Sequence, residues 1–342
     1  MKLLLIEISF FVLFVSNADA QNRFLDKKTF FTDTSVLQAT IITRLDRLLA
    51  SHQKSGYDLP AIFITTMPDS ILVHDPIVLE LRGHFRKDFC YIPPVRIRFN
   101  SREGSAFHAF KSLKLVNQCK TAADFEQYLL KEYMVYRIYN QLTDLSYRVR
   151  LLKLTLQDSA GKKKTVTEYA FLMEDLKDVA KRDSCREWKK RVKTEETNRR
   201  QMTMVSLFEY MIGNTDWAVS ANHNVRFMVP AKDSTAGIIV IPYDFDYSGL
   251  VNTFYAAPDE RLNFQSVRER QYLGFPRNYE ELEEGLKIFR AQKQNIYDLI
   301  NHFDLLDPKN KREMTSYLDE FYDIIKHPEQ VKSNFMKNAI SQ

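Results

Sequence analysis

Over residues 60–100 apolar side chains fall in short runs of strand character, and from about residue 278 they recur at every third or fourth position. This change of period is the strongest constraint on the fold, because a strand buries alternate residues and a helix buries a stripe. Short runs at 60–66, 71–73, 77–82 and 95–99 have strand composition, with turn residues such as Pro68-Asp69-Ser70 and Pro93-Pro94 between them. Val95, Ile97 and Phe99 alternate with Arg96 and Arg98, which predicts one buried and one cationic face. Further strands are expected over 112–116, 147–156 and 165–173, the last two joined by a hairpin loop at Gly161. Helical spacing is read over 34–51 from Val36, Leu37, Ile41, Ile42, Leu45, Leu48 and Leu49, and again over 122–142, 201–217 and from about 278 onward. Strands at 225–229 and 237–241 precede Pro242-Tyr243-Asp244-Phe245-Asp246. A strand-rich first half before a helix-rich second half predicts an α+β chain with segregated lobes.

Composition narrows this only a little. The 24 Phe and 17 Tyr supply ample core, and nine Gly are too few for a turn-rich β-sandwich. A net charge of +5, from 49 basic and 44 acidic residues, is weaker than a dedicated nucleic-acid binder needs. Residues 177–200 carry ten Lys or Arg against five Asp or Glu and read as a solvated helix face.

Residues 1–20 combine Lys2, an apolar stretch from Leu3 to Val15 and a small-x-small site at Ala18-Asp19-Ala20. That is a signal-peptide pattern, too short to span a bilayer, so the chain is expected to be exported to the periplasm or beyond. No later stretch is long and apolar enough to predict a transmembrane segment in the mature chain. In an oxidising compartment Cys90 and Cys119 can pair and leave Cys185 free, although spacing alone establishes no bridge.

Phosphoryl transfer from ATP needs cations on the phosphates, oxygen ligands for a metal ion and a carboxylate near the attacking hydroxyl. The chain carries such residues in order. Lys114 lies on a strand, Glu132 on the next helix, Asp216 after another helix with Asn222 and Asn224 beyond it, and Asp244 and Asp246 after a strand. Each has an ordinary structural reading when taken singly, and Asn214-Thr215-Asp216 equally suits a helix-ending turn. A glycoside hydrolase could pair Asp216 with Asp244, but that leaves Lys114, Glu132 and the two Asn unexplained.

The tract FEYMIGNTDWAVSANHNVRFM, followed by IPYDFDYSG, resembles the catalytic tract of atypical kinases of the HipA and CotH types. It resembles most a branch of secreted bacterial proteins with the same GNTDW and PYDFDYSGLV wording. The resemblance covers about residues 95–250. It implies a two-lobed protein-kinase-like fold: after the signal peptide, a strand-rich N-terminal lobe over 21–176 and a helical C-terminal lobe over 177–342. It also implies ATP with Mg²⁺ or Mn²⁺ as cofactors. Lys114 would bind the α- and β-phosphates, Glu132 would orient it, and Asp216 would be the catalytic carboxylate. Asn224 or Asn222, with Asp244 and Asp246, would hold the metal. No Gly-rich phosphate loop is present, and NSREGSA with Gly104, supported by Arg98 and Arg102, is the candidate in its place. The expected function is an exported phosphotransferase whose acceptor is a protein or a small molecule. The alternative is an inactive relative that binds a nucleotide or a partner at the cell envelope.

Overall fold

The computed structural model of the chain describes residues 25–50, 58–67, 71–82, 90–100 and 105–337. The signal-peptide reading of residues 1–20 and the readings of Arg102 and Gly104 lie outside these residues. Seven strands form a closed barrel: β1 (Leu37–Thr43), β2 (Asp58–Thr66), β3 (Leu72–Leu81), β4 (Val95–Phe99), β5 (Ser112–Asn117), β6 (Val149–Asp158) and β7 (Val166–Met173). Their order around the barrel is β1-β2-β3-β4-β5-β7-β6. The β1–β6 pair is parallel and its neighbours are antiparallel, so the barrel is mixed.

This architecture corrects the expected fold. The chain builds a closed seven-stranded mixed barrel with a few helices, not a two-lobed protein-kinase-like fold with a strand-rich N-terminal lobe and a helical C-terminal lobe. The physical reason lies in residues 34–51, where one helix was expected. Ala39, Ile41 and Thr43 are buried and the residues between them are not, which is the period of a strand. Thr40, Ile41, Ile42 and Thr43 are all β-branched and favour extended backbone. After a first short helix, α1 (Lys27–Thr32), only α2 (Leu45–Ala50) is helical in this stretch. β1 pairs with β2 on one side and β6 on the other, and so removes the free edges an open sheet would have.

Ile41, Phe63, Ile97, Leu113, Leu152 and Leu172 fill the barrel interior. The 20-residue helix α3 (Ala123–Leu142) covers the outer face of β6 and β7, where Leu151, Phe171 and Met173 are buried against it. Around these positions both faces of the two strands are therefore apolar.

Beyond β7 the chain forms α4 (Leu176–Arg182), β8 (Cys185–Trp188), α5 (Arg199–Ile212), β9 (Val225–Pro230) and β10 (Ile239–Pro242). The three strands make a small sheet in the order β10-β9-β8. The basic tract 177–200 is therefore split between a helix, a strand and a turn instead of forming one helix face. Helices α6 (Tyr279–Asn301) and α7 (Pro308–Ile324) follow, and they share one apolar cluster with α3 and α5. Among the described residues no helix is long and apolar enough to cross a membrane.

Two covalent details matter for the site. Cys90 and Cys119 are disulfide-bonded, with Cα atoms 4.3 Å apart, and Cys185 carries a free thiol. Helix α5 ends at Gly213, whose φ of +64° suits a residue without Cβ. A side chain there would also collide with the Tyr317 hydroxyl, so this turn admits only glycine comfortably.

Candidate functional site

A cleft of about 750 Å³ lies between the outer face of β4, β5 and β7 and the loops that follow α5 and β10. Its barrel side is cationic. Arg96 and Lys114 are register partners on β4 and β5 and point away from the barrel interior. Arg82, just past β3, donates from Nε to the Val95 carbonyl at 3.2 Å and from Nη2 to the Leu115 carbonyl at 3.1 Å. Arg226 enters from β9 and lies 4.7 Å from the Tyr243 ring centroid.

The Lys114 ammonium sits 4.8 Å from the Tyr243 ring and 5.3 Å from that of Tyr147. Burial, then the charges of Arg82, Arg226 and Arg96, push its pKa down to about 7, with Asp244 pulling the other way. Arg96 Nε is buried without a hydrogen-bond partner among the described residues. Three arginines and a lysine crowded in one cleft are an arrangement that an anion relieves.

The opposite wall is acidic. Asp216 Oδ1 lies 2.8 Å from His223 Nε2, and Oδ2 accepts from Asn224 Nδ2 at 2.9 Å. Burial raises the affinity of Asp216 for its proton and Asp244 adds to this, while the bonds to His223 and Asn224 act against it. The Asp216 amide donates to Asn214 Oδ1, and Asn214 Nδ2 donates to Glu209 Oε2 at 2.9 Å. Glu209 is fully buried on α5, and burial lifts its pKa to about 8. A carboxyl that burial makes slow to give up its proton thus stands behind the loop that carries Asp216.

Asp244 follows β10 with φ +69°, and its amide donates to the Tyr136 hydroxyl at 2.9 Å. Asn222 and Asn224 are also left-handed, at +52° and +50°. Asp and Asn tolerate this region better than other residues with a Cβ. Asp246 is buried and accepts from the Tyr255 hydroxyl at 3.0 Å.

Of the residues singled out in the sequence, Lys114, Glu132, Asp216, Asn222, Asn224, Asp244 and Asp246 all line this cleft. Glu132 is buried on α3, one turn before Tyr136. Arg98 does not line it. Its guanidinium ion-pairs with Asp58 and reaches Glu80 at 4.0 Å, because the outward face of β4 turns away from the cleft two residues beyond Arg96. Sequence reasoning missed Arg82, Arg96, Arg226, His223 and Glu209. The Arg96/Arg98 alternation marked a cationic face, but only the register with β5 selects Arg96.

Among the described residues no three of His, Cys, Asp or Glu come together closely enough to hold a metal by themselves. Asp244 and Asn224, both at the cleft, offer carboxylate and amide oxygens, which suit Mg²⁺ or Mn²⁺ when substrate phosphates complete the shell. Comparison of the chain with protein-family models and with curated proteins returned no match.

Proposed function

We propose that this cleft binds a nucleoside triphosphate with a divalent cation and transfers the terminal phosphoryl group to a hydroxyl acceptor. The observation that carries the reading is the gathering of opposite charges in one cleft, where Arg82, Arg96, Lys114 and Arg226 line the same space as Asp216, Asp244 and Asp246. Arg96, Lys114 and Arg226 hold the phosphate oxygens. Glu132, on the α3 side, orients Lys114. Asp244 and Asn224 would hold Mg²⁺ or Mn²⁺, which when bound neutralises charge on the phosphates.

Asp216 positions the acceptor hydroxyl and takes its proton. The hydroxyl oxygen forms the new bond to phosphorus. The bond from that phosphorus to the bridging oxygen breaks, and its electron pair leaves with the nucleoside diphosphate. The raised proton affinity of Asp216 supports its role as the base. The first 20 residues support an exported setting for this chemistry.

One observation favours a second reading, a protein that binds nucleotide without turning it over. Both carboxylate oxygens of Asp216 are already engaged, one by His223 and one by Asn224. Calorimetric titration with ATP, with and without Mg²⁺, followed by an assay for released ADP, separates the two. Binding with release supports transfer, and binding without release supports the second reading. Absence of nucleotide binding, with or without Mg²⁺, removes both.

A further inference from the structure

The acidic wall of the cleft continues into a group of aromatic rings. Tyr255, bonded to Asp246, lies 5.9 Å from the ring of Tyr247, which itself lines the cleft. Phe254 sits 5.6 Å from Tyr255 and 5.4 Å from Phe125, yet is 62% exposed. Phe125 is buried against the Cys90–Cys119 disulfide, so the exposed ring rests on a cross-linked support. An exposed Phe on a rigid base presents a flat apolar plane to solvent.

The barrel face of the cleft has a different character. Pro94, Val116 and Met173 line it beside Arg96 and Lys114 on the outer face of the barrel. These side chains offer a nucleobase an apolar surface next to the phosphate-binding cations. That leaves the ring group next to Asp246 for the acceptor.

We propose that Phe254, Tyr247 and Tyr255 form the acceptor subsite, and that the acceptor is a saccharide stacked on Phe254. The proposal rests on the phosphoryl-transfer reading of the same cleft. A pyranose presents one face of C–H groups and a rim of hydroxyls. Phe254 offers the aromatic plane, and Tyr255 links it to the Asp246 carboxylate of the cleft, the complement of both. A hydroxyl of the stacked sugar attacks the terminal phosphorus and gives its proton to Asp216, and the nucleoside diphosphate leaves with the electron pair of the broken P–O bond.

The test uses the chain with residues 21–342 and two probes, maltotetraose and chitotetraose, in saturation-transfer NMR with irradiation of aromatic protons. A separate calorimetric titration measures Mg²⁺ with a non-hydrolysable ATP analogue. We expect saturation at the sugar C–H protons of at least one probe. Phe254→Ala should weaken that binding by about tenfold and Phe254→Tyr should restore it, with affinity for the ATP analogue unchanged in both. Nucleotide binding without binding of either sugar overturns the subsite and leaves the phosphoryl-transfer reading standing. Sugar binding indifferent to Phe254→Ala, or loss of nucleotide affinity in that variant, also overturns it. Sugar binding that depends on Phe254 in a protein that never binds nucleotide keeps the saccharide site and removes the transfer chemistry.

Discussion

Arg96 and Lys114 stand directly opposite each other across the β4–β5 ladder, and both side chains line the cleft. Like charges facing each other across two strands destabilise a sheet by roughly 0.2–1 kcal/mol. An anion that binds between them removes this repulsion.

Arg96→Met should therefore raise the melting temperature of the ligand-free protein slightly and weaken binding of Mg²⁺-nucleotide by about tenfold or more. Differential scanning calorimetry and a binding titration on the same preparation read both quantities. A variant that is less stable and binds as tightly as the parent would contradict the anion-holding role of Arg96.

Glu209 and Lys114 give opposite pH dependences of stability. The folded pKa of Glu209, near 8, lies above its unfolded value. Its contribution is present at low pH and is lost as pH rises through about 8. Lys114 is depressed to about 7, so the unfolded state binds more protons above that pH and stability rises from about pH 7 toward 10. Glu209→Gln should flatten the fall between pH 5 and 8, by on the order of a few kcal/mol. Lys114→Met should flatten the rise above pH 7. Urea denaturation at a series of pH values measures each as a difference from the parent. Equal slopes in parent and variant would show that the group titrates normally.

Asp244 and Asp216 should separate binding from turnover. Asp244→Ala is expected to abolish the dependence of nucleotide binding on Mg²⁺, because a metal ligand is lost. Asp216→Asn should keep binding within about threefold and lower ADP release by 100-fold or more, since positioned proton transfer typically contributes ~10²–10⁴ in rate. If Asp216→Asn releases ADP at the parental rate, Asp216 is not the base.

Gly213→Ala tests the turn that delivers Asn214 and Asp216. The positive φ and the contact with the Tyr317 hydroxyl both oppose a side chain. A loss of about 1–3 kcal/mol is expected from chemical denaturation. The double variant with Tyr317→Phe should recover part of it, and no recovery would assign the whole effect to backbone strain.

The Cys90–Cys119 bridge closes a separation of 29 residues, which in the chain-entropy model stabilises by about 3–4 kcal/mol. Cys119→Ser should lower stability by roughly that amount and loosen the support of Phe254. Hydrogen exchange should then show faster exchange at residues 119–128 than in the parent. Unchanged exchange would mean that aromatic packing alone holds the platform.

The strands that alternate cleanly, such as β2 and β4, could be read from the sequence, because the burial of each is set by its own residues. β1 could not. Val36, Leu37, Ile41, Ile42, Leu45, Leu48 and Leu49 satisfy a helical period as well as a strand period over that short span. Its partner β6 lies more than a hundred residues away, where no local pattern can point to it. Closure of the barrel, and with it the fold class, depended on that one pairing. The polar residues of the cleft stood out because Asp216, Asn224 and Asp244 fall at element ends, where Asp and Asn are either turn formers or working groups. Arg98 adjoins the NSREGSA tract and shares a face with Arg96, and only pairing with Lys114 separates the two. Arg82 and Glu209 act through backbone carbonyls and through Asn214, contacts that no spacing encodes.

The parallel seam between β1 and β6 joins Leu37 to Leu152. A chain that emerges N-terminus first presents β1 long before its second partner exists. Until residue 158 has appeared, β1 has an unpaired edge that can pair with a neighbouring chain. Seam formation should thus be the slow, contact-order-limited event of folding. Refolding yield should fall with protein concentration more steeply than stability would suggest, and the β1 edge should be where a folding helper is needed.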